Sequence, residues 1–154
     1  MVKKISWDDI EGAVENIAEQ IKKEKFEADY IIGIASGGIV PLGLLAKKLQ
    51  LKNVLTLTAR SYAGEKQEEL KVTYLPEVDL RGKKILLVDE LVDSGQTLEK
   101  ITKIILEKYQ PSQLKTATLA INKQNCKFMP DFFSIASENW VVFPWEKEDF
   151  PQHF

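Results

Sequence analysis

The 154-residue chain carries a single cysteine, Cys126, so no intrachain disulfide can form. No Cys or His stands near it at metal-ligand spacing, and it reads as packing or surface rather than as a ligand or nucleophile. The one histidine, His153, sits in a polar tail and is assigned no role. No stretch approaches the roughly 20 apolar residues that span a bilayer. The N-terminal MVKKISWDDIEG lacks the apolar run of a signal peptide. An excess of one charge is missing too: the net charge is -2, with lysines scattered among acids, which provides no electrostatic ground for a nucleic-acid or membrane partner. There are no repeats and no low-complexity tracts. These absences lead us to expect a cytoplasmic protein with neither nucleic acid nor membrane as partner. At 44% hydrophobic, the chain has enough apolar residues for the core of one domain spanning 1–154.

What is present is an alternation of helical and strand patterns. Ser6 and Asp9 form a capping-box variant ahead of Ile10, Val14, Ile17 and Ile21, which share one helical face. Tyr30 to Ile34 is a buried strand stopping at Ser36-Gly37-Gly38. Pro41 suits the first turn of a second helix with Leu42, Leu45 and Leu49 on one side. Val54 to Thr58 is a further strand. Residues 60–71, RSYAGEKQEELK, read as a long polar loop, and Val72 to Leu75 as a short strand leaving it. Lys84 to Val88 is the most convincing buried strand. A helix with Leu98, Ile101, Ile105 and Tyr109 on one face follows and ends at Pro111. Lys115 to Ile121, Phe132 to Ile135 and Trp140 to Phe143 complete the strands. The pattern predicts an α/β fold with a mainly parallel sheet, whose ligands bind outside the carboxyl ends of the strands. The segments 35–38, 60–71 and 89–97 are therefore the places to look.

The segment ILLVDELVDSGQTL, residues 85–98, carries the chemistry. Its apolar run anchors a loop to the sheet. Asp89 and Glu90 can accept hydrogen bonds from a vicinal diol and sit beside a divalent cation. Asp93-Ser94-Gly95-Gln96-Thr97 then opens a helix, where free N–H groups, two hydroxyls and the helix dipole favour an anion. Gly95 allows close approach of backbone to phosphate. Diol binding next to phosphate binding describes a ribose 5-phosphate. A helix cap and two solvated acids would explain any one of these residues, but not the whole string.

This string resembles the motif with which type I phosphoribosyltransferases bind phosphoribosyl pyrophosphate (PRPP). The resemblance covers most of the chain and is strongest to the small bacterial xanthine-guanine enzymes. It implies that Asp89 and Glu90 hold the ribose hydroxyls, that Glu90 is associated with Mg²⁺, and that Asp93 is the catalytic acid/base near the purine N7. Ser94, Gly95, Gln96 and Thr97 would hold the 5-phosphate. IIGIASGGIVP, residues 31–41, resembles the pyrophosphate loop and implies PRPP contacts from Ser36, Gly37 and Gly38. Residues 60–71 resemble the hood loop, with Ser61-Tyr62 and Glu69 to Val72 as its borders. AINK, residues 120–123, resembles the strand end whose lysine meets the purine O6, here Lys123. WVVFPWE, residues 140–146, resembles the segment that stacks on the base, which implicates Trp140 and Val141 within a base-binding tail of about 123–154. The resemblance further implies a homo-oligomer, dimer or tetramer.

Lys123 alone reads as a surface lysine, and Trp140, Trp7 and Trp145 as packing. Only the motif context lifts Lys123 and Trp140 into the site. Lysine carries donors only, which suits a 6-oxo group and not the amino group of adenine. Two departures stand out. Ser36 occupies a position where the family often has Arg or Lys, with Lys47 or Arg60 as substitute donors. Glu68 replaces a basic hood residue, with Lys66 or Lys71 as substitutes. The expected reaction is transfer of ribose 5-phosphate from PRPP to hypoxanthine, guanine or xanthine. A PRPP- or nucleotide-sensing regulator on the same fold is the rival, favoured by Ser36 and disfavoured by the retained Asp93, Lys123 and Trp140.

Overall fold

The computed structural model describes residues 1–63 and 68–154. Strand β1 (Val2–Lys4) leads into helix α1 (Trp7–Lys23), followed by β2 (Tyr30–Ala35) and α2 (Ile39–Lys48). Next come β3 (Val54–Ala63), β4 (Glu68–Tyr74), β5 (Lys84–Val92) and α3 (Gln96–Tyr109). The chain closes with β6 (Gln113–Asn122), β7 (Phe132–Ser137), β8 (Trp140–Val142) and 3₁₀ turns at Pro144–Glu146 and Pro151–His153.

Six strands form the main sheet in the order β4-β3-β2-β5-β6-β7. Among the described residues, only the β3–β4 pairing is antiparallel. The strands buried on both faces are the apolar runs of the sequence, as parallel sheets under helices require. Leu86 and Val88 pack with Ile10, Val14, Ile17 and Leu45 beneath α1 and α2. Ile85 and Leu87 pack with Leu98, Ile101 and Ile105 beneath α3. The capping box is present: Asp9 N–H donates to Ser6 Oγ at 3.0 Å and Ser6 N–H to Asp9 Oδ2 at 2.8 Å. These bonds hold the Asp9 carboxyl below its ordinary range.

Two expectations need correction. Residues 60–71 are not a simple loop. The strands β3 and β4 run through their described part, pairing Arg60 with Lys71 and Ser61 with Leu70. Neither Thr58 to Ser61 nor Glu69 to Leu75 is buried, which explains why this ribbon reads as polar. Lys66 lies outside the described residues. The strand expected to end at Val88 continues to Val92, with Asp89 paired to Thr118 and Leu91 to Ala120. Its acids are thus strand residues, held by the ladder rather than by a free loop. In the tail, β8 pairs in parallel with β1, aligning Trp140 with Val2, and so joins the two ends of the chain.

Candidate active site

Strands β2, β5 and β6 are neighbours, so the segments leaving their carboxyl ends meet at one edge of the sheet. At the end of β2 the Ala35–Ser36 peptide is cis, and the Ser36 side chain is exposed. A Cβ on Gly38 would stand 2.7 Å from Ile34 O and 2.8 Å from Val88 O, so only glycine fits between β2 and β5. A Cβ on Gly37 would stand 2.5 Å from Glu90 Oε1. The pyrophosphate-like loop therefore lies directly on the second acid.

Asp89 and Glu90 leave β5 on opposite faces. Glu90 follows Leu86 and Val88 toward the α1–α2 side, where it touches Gly37 and its Oε2 accepts from the Trp145 indole N–H at 2.8 Å. Asp89 follows Ile85 and Leu87 and lines a cavity of about 160 Å³ shared with Asp93, Ser94, Gly95, Gln96 and Thr97. Burial raises both carboxyls to about 7. The Glu90 N–H on Asp89 Oδ1, at 2.8 Å, and the Trp145 bond on Glu90 oppose the rise, while Glu146 and Asp149 add to it at Glu90. Among the described residues, no ion pair neutralises either acid.

The segment after β5 is held by its neighbour as well as by its own side chains. Gly95 is the N-cap of α3 with φ 94°, and neither Asp93 nor Ser94 caps the helix. A Cβ at Gly95 would meet Phe128 Cβ at 2.6 Å and Phe128 O at 2.7 Å. The Ser94 carbonyl accepts from the N–H groups of Lys127 and Phe128 at 2.9 and 3.3 Å, and Ser94 Oγ accepts from Gln96 N–H at 3.3 Å. Asp93 is exposed, and its Oδ1 accepts from the side-chain amides of Asn122 and Asn125 at 3.0 and 3.1 Å.

Lys123 follows Asn122 with its side chain exposed and its N–H bonded to Ser137 O at 2.8 Å. Trp140 is 52% exposed and edge-on to Phe150, with ring centroids 6.4 Å apart. Val141 is 3% exposed, and its side chain packs in the core with Phe143.

Lys47 is excluded as a substitute for the missing basic residue at Ser36. It lines the outer α1–α2 groove with Trp7 and Leu44, toward the far end of α2. Arg60 lies two residues beyond Thr58, which pairs with Ala35, and so stands on the strand next to Ser36. Sequence reasoning missed three residues. Asn125 stands in a polar turn without any local signal. Asn122 appears in a motif but with no role. Trp145 reads as packing, which it does provide: it stacks on Phe143 at 4.8 Å and meets Trp7 at 5.9 Å, besides bonding Glu90.

Comparison with known proteins gives this geometry its family. The phosphoribosyl transferase domain matches residues 6–149. The xanthine-guanine phosphoribosyltransferase of Vibrio vulnificus is 30% identical over 146 residues, covering 92% of this chain and 87% of its own. The xanthine-guanine-hypoxanthine phosphoribosyltransferase of Helicobacter pylori superimposes with a TM-score of 0.87 at 25% identity, covering 99% of both chains. A Neisseria gonorrhoeae protein solved with bound ppGpp has a TM-score of 0.84 at 30% identity, covering 99% of this chain and 94% of its own. On the strength of a match spanning nearly its whole length, this chain belongs to the phosphoribosyl transferase domain family.

Proposed function

We propose that this phosphoribosyltransferase converts a 6-oxopurine and PRPP into the nucleoside 5′-monophosphate and pyrophosphate, as a purine-salvage enzyme. The observation that carries the reading is the placement of the two acids. Asp89 lines the cavity at the start of α3, and Glu90 lies against Gly37 of the loop after β2. A ribose with a 5-phosphate in that cavity and a 1-pyrophosphate over Ser36, Gly37 and Gly38 meets both carboxyls. Ser94, Gln96 and Thr97 then face the 5-phosphate at a helix N-terminus.

The residues fit a divalent cation: two half-buried carboxyls consecutive in sequence, raised to about 7, have no ion-pair partner among the described residues. Glu90 would hold Mg²⁺, whose charge would offset that of the leaving pyrophosphate. The C1–O bond to pyrophosphate breaks with oxocarbenium character as the purine N9 bonds to C1. Asp93 takes up the proton at N7. Lys123 donates to O6, and the exposed face of Trp140 stacks on the base, a contact of about 1–3 kcal/mol in comparable aromatic–base pairs. Arg60 is the cation best placed to replace the basic residue missing at Ser36.

A cytoplasmic location accords with the substrates of such a reaction. No described helix is long and apolar enough to cross a membrane. A dimer or tetramer accords with the apolar groove between α1 and α2, where Trp7 and Leu44 are exposed. A second reading, a nucleotide-sensing regulator, draws on Ser36 and on the ppGpp bound by the Neisseria relative. Pyrophosphate release and nucleoside monophosphate formation from PRPP, Mg²⁺ and each purine in turn separate the two. Turnover supports the enzyme, and tight guanine-nucleotide binding without turnover supports the regulator.

A further inference from the structure

Asp93 stands on an exposed turn, where a short carboxylate side chain ordinarily samples several rotamers. Here one of its oxygens is held twice. Asn122 Nδ2 and Asn125 Nδ2 both donate to Oδ1, at 3.0 and 3.1 Å, and Oδ2 takes no hydrogen bond from the described residues. The two amides come from one turn that Asn122 itself builds: Asn122 Oδ1 accepts from the N–H groups of Gln124 and Asn125 at 3.0 and 3.3 Å. Asn122 is also the last residue of β6, so the ladder fixes its backbone. Lys123 is the next residue in the same turn.

We infer that Asn122 and Asn125 are positioning residues, which pin Asp93 Oδ1 so that Oδ2 alone faces the base, in fixed register with Lys123. This rests on the proposed reaction for its meaning, though not for the contact itself. In the tautomer whose N9 lone pair is free to attack C1, a 6-oxopurine presents an N7–H donor and the O6 acceptor on one edge. The proton at N7 and the oxygen at O6 must be met together, by Asp93 and Lys123 respectively. A single turn holding both residues sets their spacing before the base arrives, which is how a rigid support raises the rate of proton transfer. Neither asparagine needs to touch substrate for this.

Asn125 is the cleaner probe, because its side chain makes no other hydrogen bond among the described residues, whereas Asn122 also holds the turn. Asn125→Ala should lower kcat about 10- to 100-fold, the scale of a misplaced catalytic group, with KM for PRPP changed less than about twofold. Asn125→Asp keeps the shape but sets a carboxylate against a carboxylate, and should lower kcat further than alanine does at the same thermal stability. A purely structural asparagine would instead make the isosteric aspartate the milder change. Unchanged kcat in Asn125→Ala, or an aspartate variant more active than the alanine one, overturns the inference. Side-chain amide NMR of the ligand-free protein tests the contact without turnover. The Asn122 and Asn125 NH₂ resonances should move on Asp93→Asn, and their failure to move overturns the inference. Wild-type protein without turnover but with those shifts would sink the proposed reaction and keep the contact.

Discussion

Trp145 donates its indole N–H to Glu90 Oε2 at 2.8 Å, tying the turn after β8 to the acid that lies on Gly37. The bond favours the ionised form of Glu90, against burial and two neighbouring acids. Trp145→Phe preserves an aromatic ring over Phe143 and removes the donor. Glu90, already at about 7, then moves higher and is largely protonated at neutral pH. KM for PRPP should rise about 10-fold at pH 7, the scale of one hydrogen bond to a charged group. It should recover toward the wild-type value as pH rises to 9. A pH-independent defect would place the tryptophan's role in packing alone.

The acid pair also sets a stability profile. Both carboxyls stand at about 7 when folded, mainly through burial, against ordinary values near 4. The folded protein therefore binds more protons than the unfolded chain between about pH 4 and 7, so these groups cost stability as pH rises through that window. The ligand-free melting temperature should fall from pH 5 to pH 8. Asp89→Asn should raise it by a few degrees at pH 8 and change it little near pH 4. A melting temperature of Asp89→Asn that tracks wild type across this range contradicts the buried-acid account.

Gly95 makes a different point. A Cβ there meets Phe128, and φ of 94° is itself unfavourable for other residues. Gly95→Val should thus destabilise the protein by about 1–3 kcal/mol and raise KM for PRPP, because the segment 127–128 must move off Ser94. Denaturant unfolding and PRPP kinetics measure the two effects. A variant of normal stability with a raised KM would return the glycine's role to phosphate approach alone.

The contrast shows what was legible in the sequence. The capping box at Ser6 and Asp9, the apolar faces of α1 and α3 and the buried run from Ile85 to Val88 are contiguous or periodic, and they stand where expected. The continuation of β5 through Asp89 and Glu90 was hidden because acids at a strand end look like a loop. Polar residues hid a ribbon in which neither Thr58 to Ser61 nor Glu69 to Leu75 is buried. The amides on Asp93 come from 29 and 32 residues away, across the β5–β6 pairing, and no local pattern marks an asparagine for that task. The burial of the Val141 side chain was hidden because strand alternation at the three-residue β8 decides inside from outside, and the core takes it.

The most direct test compares kcat/KM of the unmutated protein for hypoxanthine, guanine, xanthine and adenine, with PRPP and Mg²⁺, by pyrophosphate release. Lys123 offers donors only, and the amino group of adenine is a donor too, so adenine leaves unpaired polar groups in a closed site. At least one 6-oxopurine should be preferred over adenine by about 10⁴-fold, the discrimination reached by sites built on such hydrogen bonds. Lys123→Ala should lose most of that oxopurine activity without gaining on adenine. Efficient turnover of adenine, or no pyrophosphate release with any of the three oxopurines, would contradict the account.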